Sequence, residues 1–227
     1  MTPLFQKTVW SALSSRQSHL SIGNGLARRF DPEISPFAAS KDNSPEALSA
    51  LADLIAPGDD RVYLMQAAEI ALPGALEAEM TTFGVLMTQN HPISPSSELE
   101  ITPLGTSDVA EMVALADLTK PGPFTKRTPE LGPFWGIRVD GRLAAMAGTR
   151  LDFDGFTEVS GVCTHPDFRG RGLASELSLF VADQICQRGD TPILHAFANN
   201  TAAITLYEKL GFELWRQINV AVVKRTD

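Results

Sequence analysis

From residue 98 onward the apolar positions fall into clear periods. "LEITPL" alternates as a short strand. "TSDVAEMVALADL" places Val109, Met112, Val113 and Leu115 or Ala116 on one side of a helix, with Ser107 or Asp108 as its cap. "FWGIRV" and "RLAAMAGTRL" are two strand-like runs that meet at Asp140-Gly141, a favoured two-residue hairpin turn. "TEVSGVCTH" follows as a strand and "LASELSLFVADQICQ" as a helix that stops near Gly189. Then come the strand "PILHAFA", a helix "NNTAAITLYEKLG" capped by Asn199 or Asn200, and two closing strands, "FELWRQ" and "NVAVVKR". The run at 157–164, its helix and the run at 192–198 predict one βαβ unit, whose strands lie parallel through a right-handed crossover.

The pattern before this is weaker. "SPEALSALADLIA" (44–56) reads as an amphipathic helix with Ser44 as cap and Pro45 in the first position. "DRVYLMQA" and "TTFGVLMTQ" read as strands. "NHPISPSSELE" (90–100), with two prolines and three serines, is the best linker. It divides an α/β N-terminal half, 1–95, whose role the sequence leaves unassigned, from a domain at 98–227. The first thirty residues carry Lys7, Arg16, Arg28 and Arg29 and no acid until Asp31. That composition resembles an organelle transit peptide. "NGLARRFDPEISPFAA" continues without a cleavage-like break, so a folded segment with a basic face is the preferred reading, and the cytoplasm is the default location.

Composition narrows the function classes. The 227 residues are 44% hydrophobic and 20% charged, with a formal net charge of -8. An acidic chain lacks the basic surface by which nucleic-acid binders displace counterions, so no nucleic-acid partner is expected. No run approaches the ~18 apolar residues of a membrane span, so no membrane partner is expected either. The two cysteines, Cys163 and Cys186, form no disulfide framework, and each reads first as packing. No Cys/His cluster has zinc spacing, and no metal is assigned.

The candidate chemistry lies in "HPDFRGRGLASEL" (165–177). A strand leads into it and a helix leaves it. The first turn of that helix has unsatisfied N–H groups and partial positive charge. Gly170 and Gly172 remove the Cβ that would keep an anion away, and Arg169 and Arg171 add charge. A phosphate or pyrophosphate is the expected ligand, against a nucleic-acid patch or a ligand-free solvated turn. The G-x-x-x-x-G-K-[ST] loop is absent. "GRGLAS" approaches G-x-G-x-x-G, but Ser175 replaces the third glycine and Asp190 precedes the next strand, so a dinucleotide site fits poorly.

Two motifs carry a family resemblance. "RGRGLA", Arg169 through Gly170, Arg171, Gly172 and Leu173 to Ala174, fits the Q/R-x-x-G-x-G/A signature of the GNAT acyltransferases. "NNTAAITLYEKLGFE" resembles their N-x-x-A-x-x-L-Y-x-K-L-G-F ending through Asn200, Ala203, Leu206, Tyr207, Lys209, Leu210, Gly211 and Phe212. The resemblance covers about 98–227. "TEVSGVCTHPDFRGRG" and "PILHAFANN" look closest to the glycine N-acyltransferase-like branch, some members of which carry a degenerate GNAT-like N-terminal half.

The resemblance implies an α/β (α+β) fold: a mixed central sheet with splayed parallel strands flanked by helices, preceded by the smaller N-terminal half. It implies acetyl-CoA or another acyl-CoA as co-substrate. The diphosphate would rest on the backbone N–H groups of Arg171, Gly172, Leu173, Ala174 and Ser175. The pantetheine arm would lie along Val162, Cys163 and Thr164 like an added strand, bonded to backbone groups of Val162 and Thr164. Asn200 would cap its helix and, with Ala203, border the cofactor arm.

It also implies direct attack by a primary amine in a ternary complex, with no protein nucleophile. Cys163 is then a poor nucleophile, and strand alternation turns it away from Glu158, Ser160, Val162 and Thr164. Tyr207 is expected near the thioester sulfur as proton donor to the leaving thiolate, or else packed for shape. Glu158 is a candidate base, directly or through water, or else a solvated strand-end charge. His195 is a base candidate or a packed histidine. His165 reads as structural. The oxyanion donor is most simply a backbone N–H near Val162. In "TKPGPFTKRTPELGPF" (119–134), Lys120, Lys126 and Arg127 could attract an acidic acceptor or merely face solvent. The function implied is N-acetyl transfer to a small or amino-acid-like amine, with a homodimer left open. The alternatives are a non-catalytic CoA-binding regulatory module and a protein or peptide acetyltransferase.

Overall fold

The computed structural model describes residues 3–58, 60–91, 93–95 and 99–226. Eleven strands form one mixed sheet, flanked on both faces by five α-helices. In chain order these are α1 (Thr8–Ser14), β1 (Ser21–Gly23), β2 (Ala27–Phe30), β3 (Phe37–Ser40), α2 (Pro45–Asp53), β4 (Val62–Gln66) and β5 (Leu76–Thr88). After the 90–100 stretch, part of which lies outside the described residues, come β6 (Thr102–Leu104), α3 (Val109–Thr119), β7 (Phe134–Val139), β8 (Arg142–Phe153) and β9 (Phe156–Thr164). The chain closes with α4 (Leu173–Gln187), β10 (Thr191–Phe197), α5 (Thr201–Lys209) and β11 (Glu213–Arg225). The sheet order is β1-β2-β3-β4-β11-β5-β10-β9-β8-β7-β6.

Local signals act where the periodicity places them. Asp140 and Gly141 take left-handed φ of 51° and 78°, as a tight hairpin between β7 and β8 requires. The Ser44 hydroxyl accepts from the Ala47 N–H, and Pro45 opens α2. The Asn200 side chain accepts from the Ala203 N–H and caps α5. The two closing strands expected near the C-terminus are one strand, β11. A register shift between Leu214 and Arg216 absorbs Trp215 as a bulge, because the long partner β5 continues past it.

The two halves interleave. β5, from the N-terminal half, lies between β10 and β11 and is antiparallel to both. Core residues therefore come from both sides of the 90–100 stretch. One face packs Val85, Met87, Val159 and Leu194 against Leu177, Val181 and Ile185 of α4. The other packs Leu86, Leu151, Phe153 and Ile193 against Val9, Ala12 and Leu13 of α1, while Met112 and Leu115 of α3 meet Met146 on that same face.

The early cations are paired with groups of the fold, although Arg16 stays exposed. Lys7 donates to the Ser40 carbonyl at 3.0 Å, Arg16 to Asp190 at 2.6 Å, Arg28 to the Leu13 carbonyl at 3.1 Å and Arg29 to Asp60 at 2.6 Å. Docking α1 onto the sheet turns these groups toward partners.

Two irregularities shape the centre. β9 and β10 pair in parallel only at Thr191–Phe156, Pro192–Thr157 and Ile193–Glu158, then part. In β9, Gly161 and Val162 stand opposite the single residue Ala147, and Gly161 has φ of 64°. This bulge moves the side-chain alternation on by one residue. Cys163 therefore pairs with Met146 on the α3 face, the face that Glu158 and Ser160 share, while Val162 packs on the α4 side. The expectation that Cys163 faces away from Glu158 and Ser160 is corrected by that bulge.

Candidate active site

The 165–175 segment forms an exposed turn leading into α4. The His165 ring accepts from the Asp167 N–H at 3.2 Å and caps the short turn over Pro166–Phe168. Gly170 and Gly172 have φ of 77° and 76°, and a Cβ built on either would meet nothing within 4 Å. Their backbone is therefore open to a ligand at the start of a 15-residue helix whose first-turn N–H groups have no intrahelical acceptors. Arg169 and Arg171 are exposed beside it, Arg171 with its guanidinium 5.2 Å from the Phe168 ring centre.

A cavity of 760 Å³ runs from this turn through the parting of β9 and β10. Gly170, Gly172, Leu173, Ala174 and Ser175 line one end, and Val162, Cys163 and Thr164 line the groove. Asn200, Ala203 and Tyr207 border it, and His195 stands where the strands separate. The Thr164 hydroxyl is buried with no hydrogen-bond partner among the described residues. An open glycine turn, a helix start and an unpaired hydroxyl along one groove fit a diphosphate carrying an extended polar arm.

Glu158 lies at the last position where β9 pairs with β10, fully buried. The sequence left open a solvated strand end, and the structure excludes it. A bulge in β8 sets Arg150 and Leu151 opposite Glu158. Arg150 donates to it twice, Nε to Oε2 at 2.9 Å and Nη2 to Oε1 at 2.5 Å. His195 Nδ1 lies 2.7 Å from Oε1, and the Leu151 N–H reaches Oε2 at 3.3 Å. Burial alone raises this carboxyl's pKa. The Arg150 charge, the charge His195 carries when its ring is protonated, and the hydrogen bonds from both override it, bringing the group down to about 2. Both oxygens are engaged and the group stays ionised.

That carboxylate selects the His195 tautomer with hydrogen on Nδ1 and leaves Nε2 as the accepting nitrogen. Its neighbour is the Thr8 hydroxyl at 3.3 Å, contributed by α1, and the His195 side chain is 5% exposed. Tyr207 packs with its ring centre 6.0 Å from that of Phe212. Burial, with smaller contributions from Glu158 and Cys163, pushes its phenol up to about 12. Burial likewise pushes the Cys163 thiol up to about 11, which keeps it protonated and a weak nucleophile.

The 119–134 loop divides in two. Thr119, Lys120 and Pro123 line the cavity. Arg127 is bound to Asp31 at 2.9 Å, Glu33 at 3.0 Å and Glu130 at 2.7 Å, so its charge is already matched. Lys126 is exposed, and Lys120 pairs with Asp117 at 3.3 Å.

The periodicity did not single out Arg150, Thr8, Phe37, Tyr63 or Met65, yet all five stand at or beside this cavity. An arginine within the strand-like run, two residues before Asp-Phe-Asp-Gly and paired across a hairpin with a lone glutamate, was the available signal for Arg150. The others come from the N-terminal half, and only the tertiary fold brings them here.

Fold and site define a mixed α/β protein with a ligand groove at splayed parallel strands. The model of the FR47-like protein family matches residues 135–220. A crystallographically determined protein assigned to the GNAT family, from Novosphingobium aromaticivorans DSM 12444, is 38% identical to this chain, covers 100% of both and superposes with a TM-score of 0.92. A GCN5-related N-acetyltransferase from Kribbella flavida shares the fold at a TM-score of 0.66 and 17% identity, covering 99% of this chain and 95% of its own. The [ribosomal protein bS18]-alanine N-acetyltransferase of Salmonella typhimurium is 37% identical over 90 residues, 39% of this chain, and the match spans only 56% of that relative's length. The chain belongs to the GNAT family of acetyltransferases. These likenesses reach the superfamily and do not extend to the glycine N-acyltransferase-like branch.

Proposed function

We propose that this protein transfers an acetyl or other short acyl group from acyl-CoA to the primary amine of a small-molecule or amino-acid-like acceptor. One observation carries the reading: a single cavity joins the open α4 turn to His195 at the point where β9 and β10 part. Acyl-CoA supplies the thioester. The amine nitrogen bonds to its carbonyl carbon as the carbon–sulfur bond breaks, one proton leaving the nitrogen and one reaching the thiolate.

The chain's own residues supply position and proton handling. Amides of Arg171, Gly172, Leu173, Ala174 and Ser175 hold the diphosphate, with Arg169 and Gly170 beside them. Backbone groups of Val162 and Thr164 hold the arm, and Asn200 and Ala203 border it. A backbone N–H near Val162 serves as oxyanion donor. His195 Nε2 takes the amine proton once the acceptor or a water competes with the 3.3 Å Thr8 contact. Glu158, held as an anion, orients the ring and balances its charge, which replaces the direct base role considered for it. Tyr207 keeps its proton near pH 7 and donates a hydrogen bond to the departing sulfur, since a phenol at about 12 would surrender a proton only uphill to a thiolate. Residues 98–227 supply the acyl-CoA groove, and the N-terminal half supplies β5, Thr8 and one wall of the cavity.

A protein acceptor is the second reading, favoured by the likeness to the bS18-alanine N-acetyltransferase. Incubation with acetyl-CoA and a panel of free amines, amino acids and an alanine-led peptide, followed by release of free thiol, separates the readings. Thiol release with free amines supports the proposal. Release with the peptide alone moves the acceptor to a protein. Tight CoA binding without release under any acceptor leaves a CoA-binding regulatory module.

A further inference from the structure

The geometry points to an α-amino acid with an apolar side chain as the acceptor: its carboxylate on Arg150, its side chain on an apolar floor to which both halves of the chain contribute. This rests on the acetyl-transfer reading above and names the substrate class of that site. Arg150 spends Nε and Nη2 on Glu158, and its Nη1 has no hydrogen-bond partner among the described residues. The guanidinium stacks 4.7 Å from the Phe37 ring centre, and the Arg150 side chain, 14% exposed, lines the cavity. A rigid guanidinium with one free N–H edge in an apolar wall is a carboxylate anchor.

Glu158 Oε1 contacts both Arg150 and His195. One buried carboxylate thus fixes the anchor and the base side by side, the arrangement an α-carboxylate adjacent to an α-amine needs. Beyond them the sheet face is apolar. Gly84 pairs with Ile218 and Phe197, Val220 with Met65, and Tyr63 with Phe37, and all of these line the cavity. A Cβ at Gly84 would come within 3.0 Å of the Ala196 carbonyl and 3.2 Å of the Ile218 side chain, so glycine keeps that floor clear.

No aspartate or glutamate side chain is among the described residues lining the cavity, which disfavours a second ammonium group on the acceptor. α1 packs across β3, β4 and β8 on the same face and brings the Thr8 hydroxyl to 3.3 Å from His195 Nε2, which narrows the approach to the base for an extended peptide.

Calorimetry on the CoA-loaded protein tests this with L-phenylalanine, phenethylamine, L-lysine and a phenylalanine-led tripeptide. L-phenylalanine is expected to bind at least about tenfold more tightly than phenethylamine, the loss of one charge-assisted contact, and more tightly than lysine or the tripeptide. Arg150→Gln should erase the preference over phenethylamine, and Met65→Trp should weaken phenylalanine while leaving glycine or alanine. Equal or tighter binding of phenethylamine by the wild-type protein overturns the carboxylate anchor even if Arg150→Gln fails to fold. Tighter binding of lysine or of the tripeptide overturns the amino-acid assignment. A separate CoA titration that fails would remove the acetyl-transfer reading itself. Phenylalanine binding without thiol release would keep the subsite and refute the transfer.

Discussion

Replacing Glu158 by glutamine removes one charge from a site that excludes water. Holding the carboxyl at about 2 instead of 4.5 corresponds to about 3 kcal/mol of stability at neutral pH. Leaving the Arg150 guanidinium beside a neutral amide points the same way, since breaking a buried ion pair from one side costs about 3–5 kcal/mol. Because the folded pKa is the lower one, this stability is fully present above the unfolded value and is lost as pH falls toward 2. Denaturant titrations of wild type and Glu158→Gln should therefore differ by about 3 kcal/mol from about pH 8 to pH 5, and by less than half of that near about pH 3. Turnover should fall at least about 100-fold, because His195 loses the partner that sets its tautomer. CoA affinity should change less than about twofold, the diphosphate turn lying at the far end of the groove. A stability difference under about 1 kcal/mol at neutral pH, or one that persists undiminished to about pH 3, would refute the network as described.

Other substitutions test the remaining parts. Gly172→Asp places a carboxylate at the open turn, at a left-handed φ of 76°, and should abolish CoA binding in calorimetry while costing only about 1 kcal/mol in thermal unfolding. His195→Gln should lower kcat by about 10²–10⁴-fold with CoA affinity intact, and a loss under about fivefold would remove His195 from proton transfer. Tyr207→Phe keeps the packing on Phe212 but deletes the donor. It should lower kcat about tenfold or more, and an equal loss in CoA binding would assign the residue to packing.

The legible part of the molecule is the part whose signals are local. Asp140-Gly141, Ser44-Pro45, the glycines before α4 and the helical run that carries Tyr207 each state their geometry within a few residues, and each stands where periodicity placed it. The N-terminal half gave little, because β1, β2 and β3 are only three or four residues long, too short for a period to register. Its basic residues looked like surface, and only long-range pairs such as Arg16–Asp190 and Arg29–Asp60 explain them.

The alternation rule failed at Cys163 for a related reason: a single extra residue at Gly161 inverts every side chain after it, and nothing in "VSGVCT" announces the bulge except the glycine. Glu158 and His195 were found by residue type, but their pairing needed the register of β9 against β10, and Arg150 needed a second bulge in β8.

The most direct measurement is a crystal structure of the wild-type protein with acetyl-CoA. The diphosphate should accept hydrogen bonds from backbone N–H groups between Arg171 and Ser175, the arm should follow Val162 and Thr164, and the acetyl group should lie at the parting of β9 and β10 within reach of His195. A diphosphate bound elsewhere, or an acetyl group on the far side of the sheet from His195, would contradict the account.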